Sequence, residues 1–262
     1  MPKIAQFNRA VFIDSSSTEE IKKWNATGII GGVTTNQSIM LKDGLNLRDF
    51  KKEIKKICTE MKNKPVSVEL PDSSASFKEM INEAKTMDSL AANIVVKVPL
   101  IPETTKSLQI IQTLISSNIA INVTALMTFE QMVVSILALR TSRRICFVSL
   151  FWGRSQEDHI KYRSRFDFMA DYKRVGLDSD VNKHPKNIVE AASKFLREGE
   201  FDNTKIIVGS IRNATMVGDA FAAGGNIVTI TPEVLMAMLF SQRTIETIDQ
   251  FDQDWKKLQG KQ

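Results

Sequence analysis

Eight short β-branched runs, separated by stretches of helical periodicity, constrain this chain more than any other feature. The runs are Ala10–Asp14, Gly32–Asn36, Pro65–Leu70, Asn93–Pro99, Ala120–Leu126, Ile145–Phe151, Lys205–Ile211 and Asn226–Ile230. Helical patterns at Ser17–Asn25, Leu47–Met61, Phe77–Leu90, Thr105–Ser117, Phe129–Thr141, Ile188–Arg197 and Ala214–Ala223 lie between them. A strand that returns through a helix to the next strand pairs with it in parallel. Eight repeats in 262 residues predict an α/β fold, a single (β/α)8 TIM barrel, because doubly wound sheets usually stop at about five or six strands. No flexible linker or composition shift marks a boundary, so residues 1–262 are expected to form one domain. Two additions stand outside the repeat. One is the connection from Gly153 to about Lys186, which carries Arg163, Arg165, Phe166, Tyr172, Lys173 and Arg174. The other is an additional C-terminal helical pattern, Val234–Leu258, within an extension of about 234–262. An extra helix of this kind is a candidate oligomer contact or a solvated tail.

Charge and cysteine content narrow the classes of function. The chain has 35 basic and 30 acidic residues, a formal charge of +5, and the excess is scattered over amphipathic segments such as Lys51 to Lys56. That distribution argues against nucleic acid as a partner and suits a small anionic ligand. Cys58 and Cys146 have no metal-ligand spacing, which argues for a reducing compartment and against a disulfide framework or metal site. No signal-peptide core is present, and no apolar run approaches the roughly 20 residues needed to span a bilayer. The expectation is a soluble cytoplasmic protein with no membrane partner.

Lys97 stands in the run Ala92-Asn93-Ile94-Val95-Val96-Lys97-Val98-Pro99-Leu100. Burial disfavours the charged form of a lysine, and a neutral amine can attack a carbonyl to form a Schiff base. A snorkelling or ion-paired structural lysine is the alternative.

In a barrel of this type the chemistry collects at the C-terminal ends of the strands. Those ends supply Asp14, then Thr34 with Asn36, Glu69, Lys97, Asn122 with Thr124, Ser149 and Phe151 followed by Arg154, and Ser210 with Arg212. Side chains at i and i+2 share a face, so Thr34 with Asn36 and Asn122 with Thr124 can point inward together. Plainer roles exist for each. Asp14 could cap the following helix, Glu69 could only neutralise Lys97, and Arg154 and Arg212 could be surface arginines. His159 and His184 fall in the charged connection, look solvated and receive no role. Convergence of the whole set on one cavity favours function.

The segments Phe12-Ile13-Asp14-Ser15, Gly32-Val33-Thr34-Thr35-Asn36, Ile94-Val95-Val96-Lys97-Val98-Pro99, Asn122-Val123-Thr124-Ala125-Leu126, Phe147-Val148-Ser149-Leu150-Phe151-Trp152-Gly153-Arg154 and Gly209-Ser210-Ile211-Arg212-Asn213 occur in order. Together they resemble the transaldolases and the related fructose-6-phosphate aldolases. The resemblance implies Lys97 as the Schiff-base lysine and Asp14 as acid/base at the substrate C4 hydroxyl. Glu69 and Thr124 would hold a proton-relaying water. Asn36, Asn122 and Ser149 would bind hydroxyls of a dihydroxyacetone unit, with Thr34 and Phe151 lining the same site. Arg154, Ser210 and Arg212 would hold a terminal anion.

The aldolase branch has Gln where Glu69 stands and Tyr where Phe151 stands, so both positions side with transfer to an aldehyde acceptor. The implied enzyme needs no cofactor or metal and belongs to pentose phosphate carbohydrate metabolism. Its donor would be an anionic ketose of the fructose 6-phosphate or sedoheptulose 7-phosphate type, with a sulfo-ketose as the variant. The tail Gln250-Phe251-Asp252-Gln253-Asp254-Trp255 is similar to the C-terminal helix of small ring-forming members, which implies a homo-oligomer, a pentamer or decamer. Gln37, Leu150, Trp152 and Ser155-Gln156 depart from the family pattern around the substrate mouth. Free aldol cleavage, or an inactive anion-binding barrel, are the rival readings.

Overall fold

The computed structural model describes residues 7–102, 104–162 and 184–260. Eight parallel strands close into a barrel in sequence order. They are β1 Ala10–Asp14, β2 Ile30–Thr34, β3 Val66–Glu69, β4 Ile94–Pro99, β5 Ile121–Leu126, β6 Cys146–Phe151, β7 Thr204–Gly209 and β8 Ile227–Ile230. The helices among the described residues are α1 Thr18–Ala26, α2 Gln37–Lys42, α3 Phe50–Met61, α4 Phe77–Asp88, α5 Lys106–Ser116, α6 Phe129–Leu139, α7 Trp152–Tyr162, α8 Pro185–Glu198, α9 Ala214–Ala222, α10 Pro232–Ala237 and α11 Gln242–Leu258. None is long and apolar enough to cross a membrane. The expected (β/α)8 barrel is therefore the observed fold.

Strand alternation divides the core in two. Outward residues such as Ile13, Val33, Val68, Val96, Val98 and Val148 pack under the helices in the larger cluster. Inward residues form a smaller cluster of Phe12, Val95, Ala120, Phe147, Ile207 and Ile227, closed below by Phe7. Phe7, Phe12 and Phe147 meet edge to face, with ring centroids 5.7 to 6.1 Å apart. Gly32 makes room for this plug, because a Cβ there would stand 2.6 Å from the Phe12 ring.

One pleat further along, most strands change from apolar to polar. Phe12 is followed by Asp14, Val95 by Lys97, Ala120 by Asn122, Phe147 by Ser149 and Ile227 by Thr229. A two-residue step thus lifts the interior from a packed floor to a polar layer.

Local capping fixes where helices begin. Ser76 with Glu79 and Thr128 with Gln131 form capping boxes on α4 and α6. Ser241 caps α11 by accepting from Thr244 N, which splits the continuous 234–258 pattern into α10 and α11. The connection expected from Gly153 to Lys186 begins instead as helix α7. Its Arg163, Arg165, Phe166, Tyr172, Lys173 and Arg174 lie outside the described residues.

Candidate functional site

Lys97 is 3% exposed and its ammonium lies 3.0 Å from Glu69 Oε2. It also donates to the Thr35 carbonyl at 2.8 Å. Glu69 and Lys97 are register partners on β3 and β4, so the ion pair is imposed by strand pairing. The fully buried Thr124, on β5 two residues beyond Lys97's register partner Asn122, has a hydroxyl with no hydrogen-bond partner among the described residues. An unpartnered buried hydroxyl beside an ion pair suits a bound water or a substrate oxygen. The bulge in β5, where Ala125 takes φ of 62°, interrupts the ladder immediately after Thr124.

Asp14 accepts from Thr34 Oγ1 at 2.7 Å. Burial pushes its carboxyl above the ordinary carboxylate range, while Lys97 and the Thr34 hydrogen bond act in the opposite direction. Asp14 is not the helix cap. Ser17 caps α1, and the carboxylate of Asp43 accepts from Ser16 N at 2.7 Å and from Ser15 Oγ at 3.1 Å. The serine run therefore holds Asp43, which leaves Asp14 facing the barrel interior with Thr34.

Asn122 and Ser149 form a second hydroxyl-amide group. Ser149 Oγ donates to Asn122 Oδ1 at 2.7 Å, and Asn122 Nδ2 donates to Ser67 Oγ at 3.3 Å. Asn36 differs from its expected strand position, because β2 ends at Thr34. Its side chain caps α2, accepting from Ile39 N at 3.0 Å. The expected strand Gly32–Asn36 is displaced by two residues: β2 starts at Ile30, takes in Gly31 despite its weak strand propensity, and stops before Asn36. Gln37 next to it donates to the Leu70 carbonyl at 2.8 Å, tying the loops after β2 and β3 together.

At the rim, Phe151 lies under the Arg154 guanidinium at 5.8 Å. Register pairing of Phe151 with Gly209 brings Ser210 and Arg212 to the same edge. Gly153 is required there: its N–H donates to the Ser210 carbonyl at 3.0 Å, and a Cβ would fall 2.1 Å from that oxygen. Arg212 is engaged by Glu157 at 3.2 Å, both side chains being exposed. Two guanidinium groups thus stand at one mouth, one over an aromatic ring and one held by an acid.

His159 and His184 are not the solvated pair expected. They are half-buried, their rings meet edge to face at 5.4 Å, and His184 packs on Trp152 at 5.9 Å. Burial, reinforced by His159, lowers the His184 pKa. Sequence reading missed Ser67, the backbone carbonyl of Thr35, and Thr229, whose hydroxyl meets that of Thr34. Counting alternate positions back from Glu69 and Ile230's neighbours would have found Ser67 and Thr229. No group of three or more His, Cys, Asp or Glu suited to a metal occurs among the described residues.

Comparison with known proteins now bears on this geometry. Protein 1 of the probable transaldolases of Bacillus anthracis is 33% identical over 250 residues, covering 95% of this chain and 99% of its own length. A probable transaldolase of Nitrosopumilus maritimus is 30% identical, covering 95% of this chain and 96% of its own. A further one from Thermoanaerobacter is 32% identical over 246 residues, covering 94% of this chain and 96% of its own. Among solved structures, dihydrodipicolinate synthase from Bacillus clausii superposes with a TM-score of 0.55 at 9% identity, over 87% of this chain and 70% of that one. That likeness concerns the barrel alone. The family model described as transaldolase/fructose-6-phosphate aldolase matches residues 11–262, and the chain belongs to that family of enzymes.

Proposed function

We propose that the protein is a transaldolase that carries a dihydroxyacetone unit on Lys97 from an anionic ketose to an aldehyde acceptor. The observation that carries the reading is the nearly fully buried Lys97 amine, paired with Glu69 in the polar layer that also holds Asp14. The Lys97 ammonium passes a proton to Glu69, the resulting amine adds to the C2 carbonyl, and return of that proton expels water and leaves a protonated imine. Asp14 takes the C4 hydroxyl proton, the C3–C4 bond breaks, its electron pair moves into the imine as an enamine, and C4 with the rest of the donor leaves as an aldehyde. The enamine then adds to the carbonyl carbon of the acceptor, and water releases the new ketose. Thr124 and Glu69 would hold the water used in forming and hydrolysing the imine, a role that agrees with the unpartnered Thr124 hydroxyl.

Asn122 and Ser149 are suited to the hydroxyls of the three-carbon unit, and Asn36 would contribute through its amide nitrogen while its oxygen caps α2. Thr34 and Phe151 would line the cavity wall. Arg154, Ser210 and Arg212 would take the terminal phosphate or sulfonate, with Arg212 leaving Glu157 when the anion arrives. Helix α11 has no buried residue and lines up Ile245, Ile248, Phe251, Trp255 and Leu258 on one exposed stripe. Such a stripe favours a homo-oligomer in which a second copy covers it.

The test is an assay with fructose 6-phosphate or a sulfonated ketose as donor and erythrose 4-phosphate as acceptor. Acceptor-dependent formation of a new ketose is expected. Rapid release of dihydroxyacetone without acceptor would make the protein an aldolase instead.

A further inference from the structure

The hydroxyl of Thr229 has no place in the scheme above, yet it is buried inside the barrel and joined to the acid/base layer. Thr229 lies on β8, where its register partner across β1 is Phe12. Asp14 pairs with Thr34 on the other side of β1. The Thr34 and Thr229 hydroxyls form a short hydrogen bond that spans the inner face of β1, linking β2 to β8. Gly209 on β7 leaves space for the Thr229 methyl, since a Cβ there would stand 3.3 Å from Thr229 Cγ2.

Proton direction along this chain follows from counting hydrogens. A threonine hydroxyl has one proton to donate. Thr34 gives its proton to Asp14 Oδ1, so Thr229 must donate to Thr34. Donation into the Thr34 oxygen polarises its O–H bond and strengthens the next link.

We propose that Thr229 is a positioning residue: its hydroxyl holds Thr34 aimed at Asp14 and thereby fixes the orientation and favours the ionised form of that carboxylate. The role rests on the assignment of Asp14 as acid/base proposed above. Lys97 favours ionisation of Asp14, whereas Glu69 and Asp43 oppose it, and Lys42 also lies within electrostatic reach. Substituting Thr229 leaves all four in place. Loss of the terminal donor weakens the chain that stabilises the carboxylate and frees Thr34 to turn its proton elsewhere.

The experiment compares Thr229→Val, which removes the hydroxyl at nearly constant shape, with Thr229→Ser, which keeps it. Titration of the Asp14 carboxyl by carbon NMR reads the effect without requiring turnover. Thr229→Val is expected to raise the Asp14 midpoint by about half a pH unit or more, and Thr229→Ser to return it to the wild-type value. With substrate, kcat should fall about threefold to tenfold in Thr229→Val at unchanged KM. The acid limb of kcat/KM should move with the carboxyl, and borohydride should still trap substrate on Lys97. An unmoved Asp14 midpoint in Thr229→Val, or failure of Thr229→Ser to restore it, would overturn the proposal. A moved Asp14 midpoint in Thr229→Val, together with a wild-type protein that traps no substrate, upholds the positioning role and removes the Schiff-base reading on which the proposed function rests.

Discussion

The two ends of the barrel interior are built on the same eight strands, one pleat apart, and they do opposite things. At the N-terminal end Phe7, Phe12 and Phe147 interlock in an apolar floor. At the C-terminal end the corresponding positions hold Asp14, Lys97, Asn122, Ser149 and Thr229, each tied to a neighbour by hydrogen bonds or charge. A cavity of about 350 Å³ opens at the floor end, lined by residues including Pro65, Ile94, Val95, Ala120, Phe147 and Arg144. It has no carboxylate in its lining and no buried amine, so room alone does not mark the end that carries the polar layer. The floor contributes stability through packing, whereas the polar layer buries paired charges and, among the described residues, the unpartnered Thr124 hydroxyl, at some cost in stability.

Removing the amine should give the largest effect. Lys97→Met is expected to lower activity by at least roughly 10³-fold, measured as acceptor-dependent ketose formation. In the double variant Lys97→Met with Glu69→Gln, thermal stability should equal or exceed that of the wild type, because a buried ion pair is often no better than well-packed neutral groups. A large fall in Tm would place Lys97 among the structural groups and erase the contrast with the floor.

Asp14→Asn should lower kcat by about 10²-fold or more as general acid/base help is lost. Its stability should respond to pH in a defined direction. The Asp14 carboxyl is raised above the ordinary value of 3.8, chiefly by burial. As pH climbs from 3.8 through the raised value, the native state must ionise a buried acid that the unfolded chain ionises freely, so stability falls. Asp14→Asn should therefore melt at higher temperature than wild type near neutrality, with the gain vanishing below pH 3.8. A gain that persists at low pH would contradict the assignment.

Phe147→Ala probes the other end. It should destabilise the fold by about 3–5 kcal/mol in denaturant titration, while the protein that remains folded keeps its ability to form the Lys97 adduct. Asn36→Ala should have the smallest effect, about 1 kcal/mol from loss of the α2 cap. A rise in KM beyond that loss would show the Asn36 amide reaching substrate as well.

The contrast between the ends was partly legible in the sequence. The strand number and the polar residues at the strand ends follow from β-branched runs and alternation, and six of the eight strand positions lie within one residue at their C-terminal ends or at both ends of those expected, as at Ala10–Asp14 and Ile94–Pro99. Helix α7 was hidden because its charged sequence lacks an apolar 3.6-residue stripe, and its first residue, Trp152, is buried against His184. Asn36 was misplaced because Ile30 and Gly31, ahead of the expected start at Gly32, already belong to β2. Thr229 escaped notice because neither the strand-end residues singled out nor the segments that carry the resemblance reach β8; its partner, Thr34, is 195 residues away in sequence.

Borohydride reduction in the presence of donor ketose tests the central claim most directly. Digestion and mass spectrometry should then find a three-carbon adduct on the peptide containing Lys97, and on no other lysine. Absence of any adduct in the wild-type protein, or the same adduct in Lys97→Met, would contradict the account.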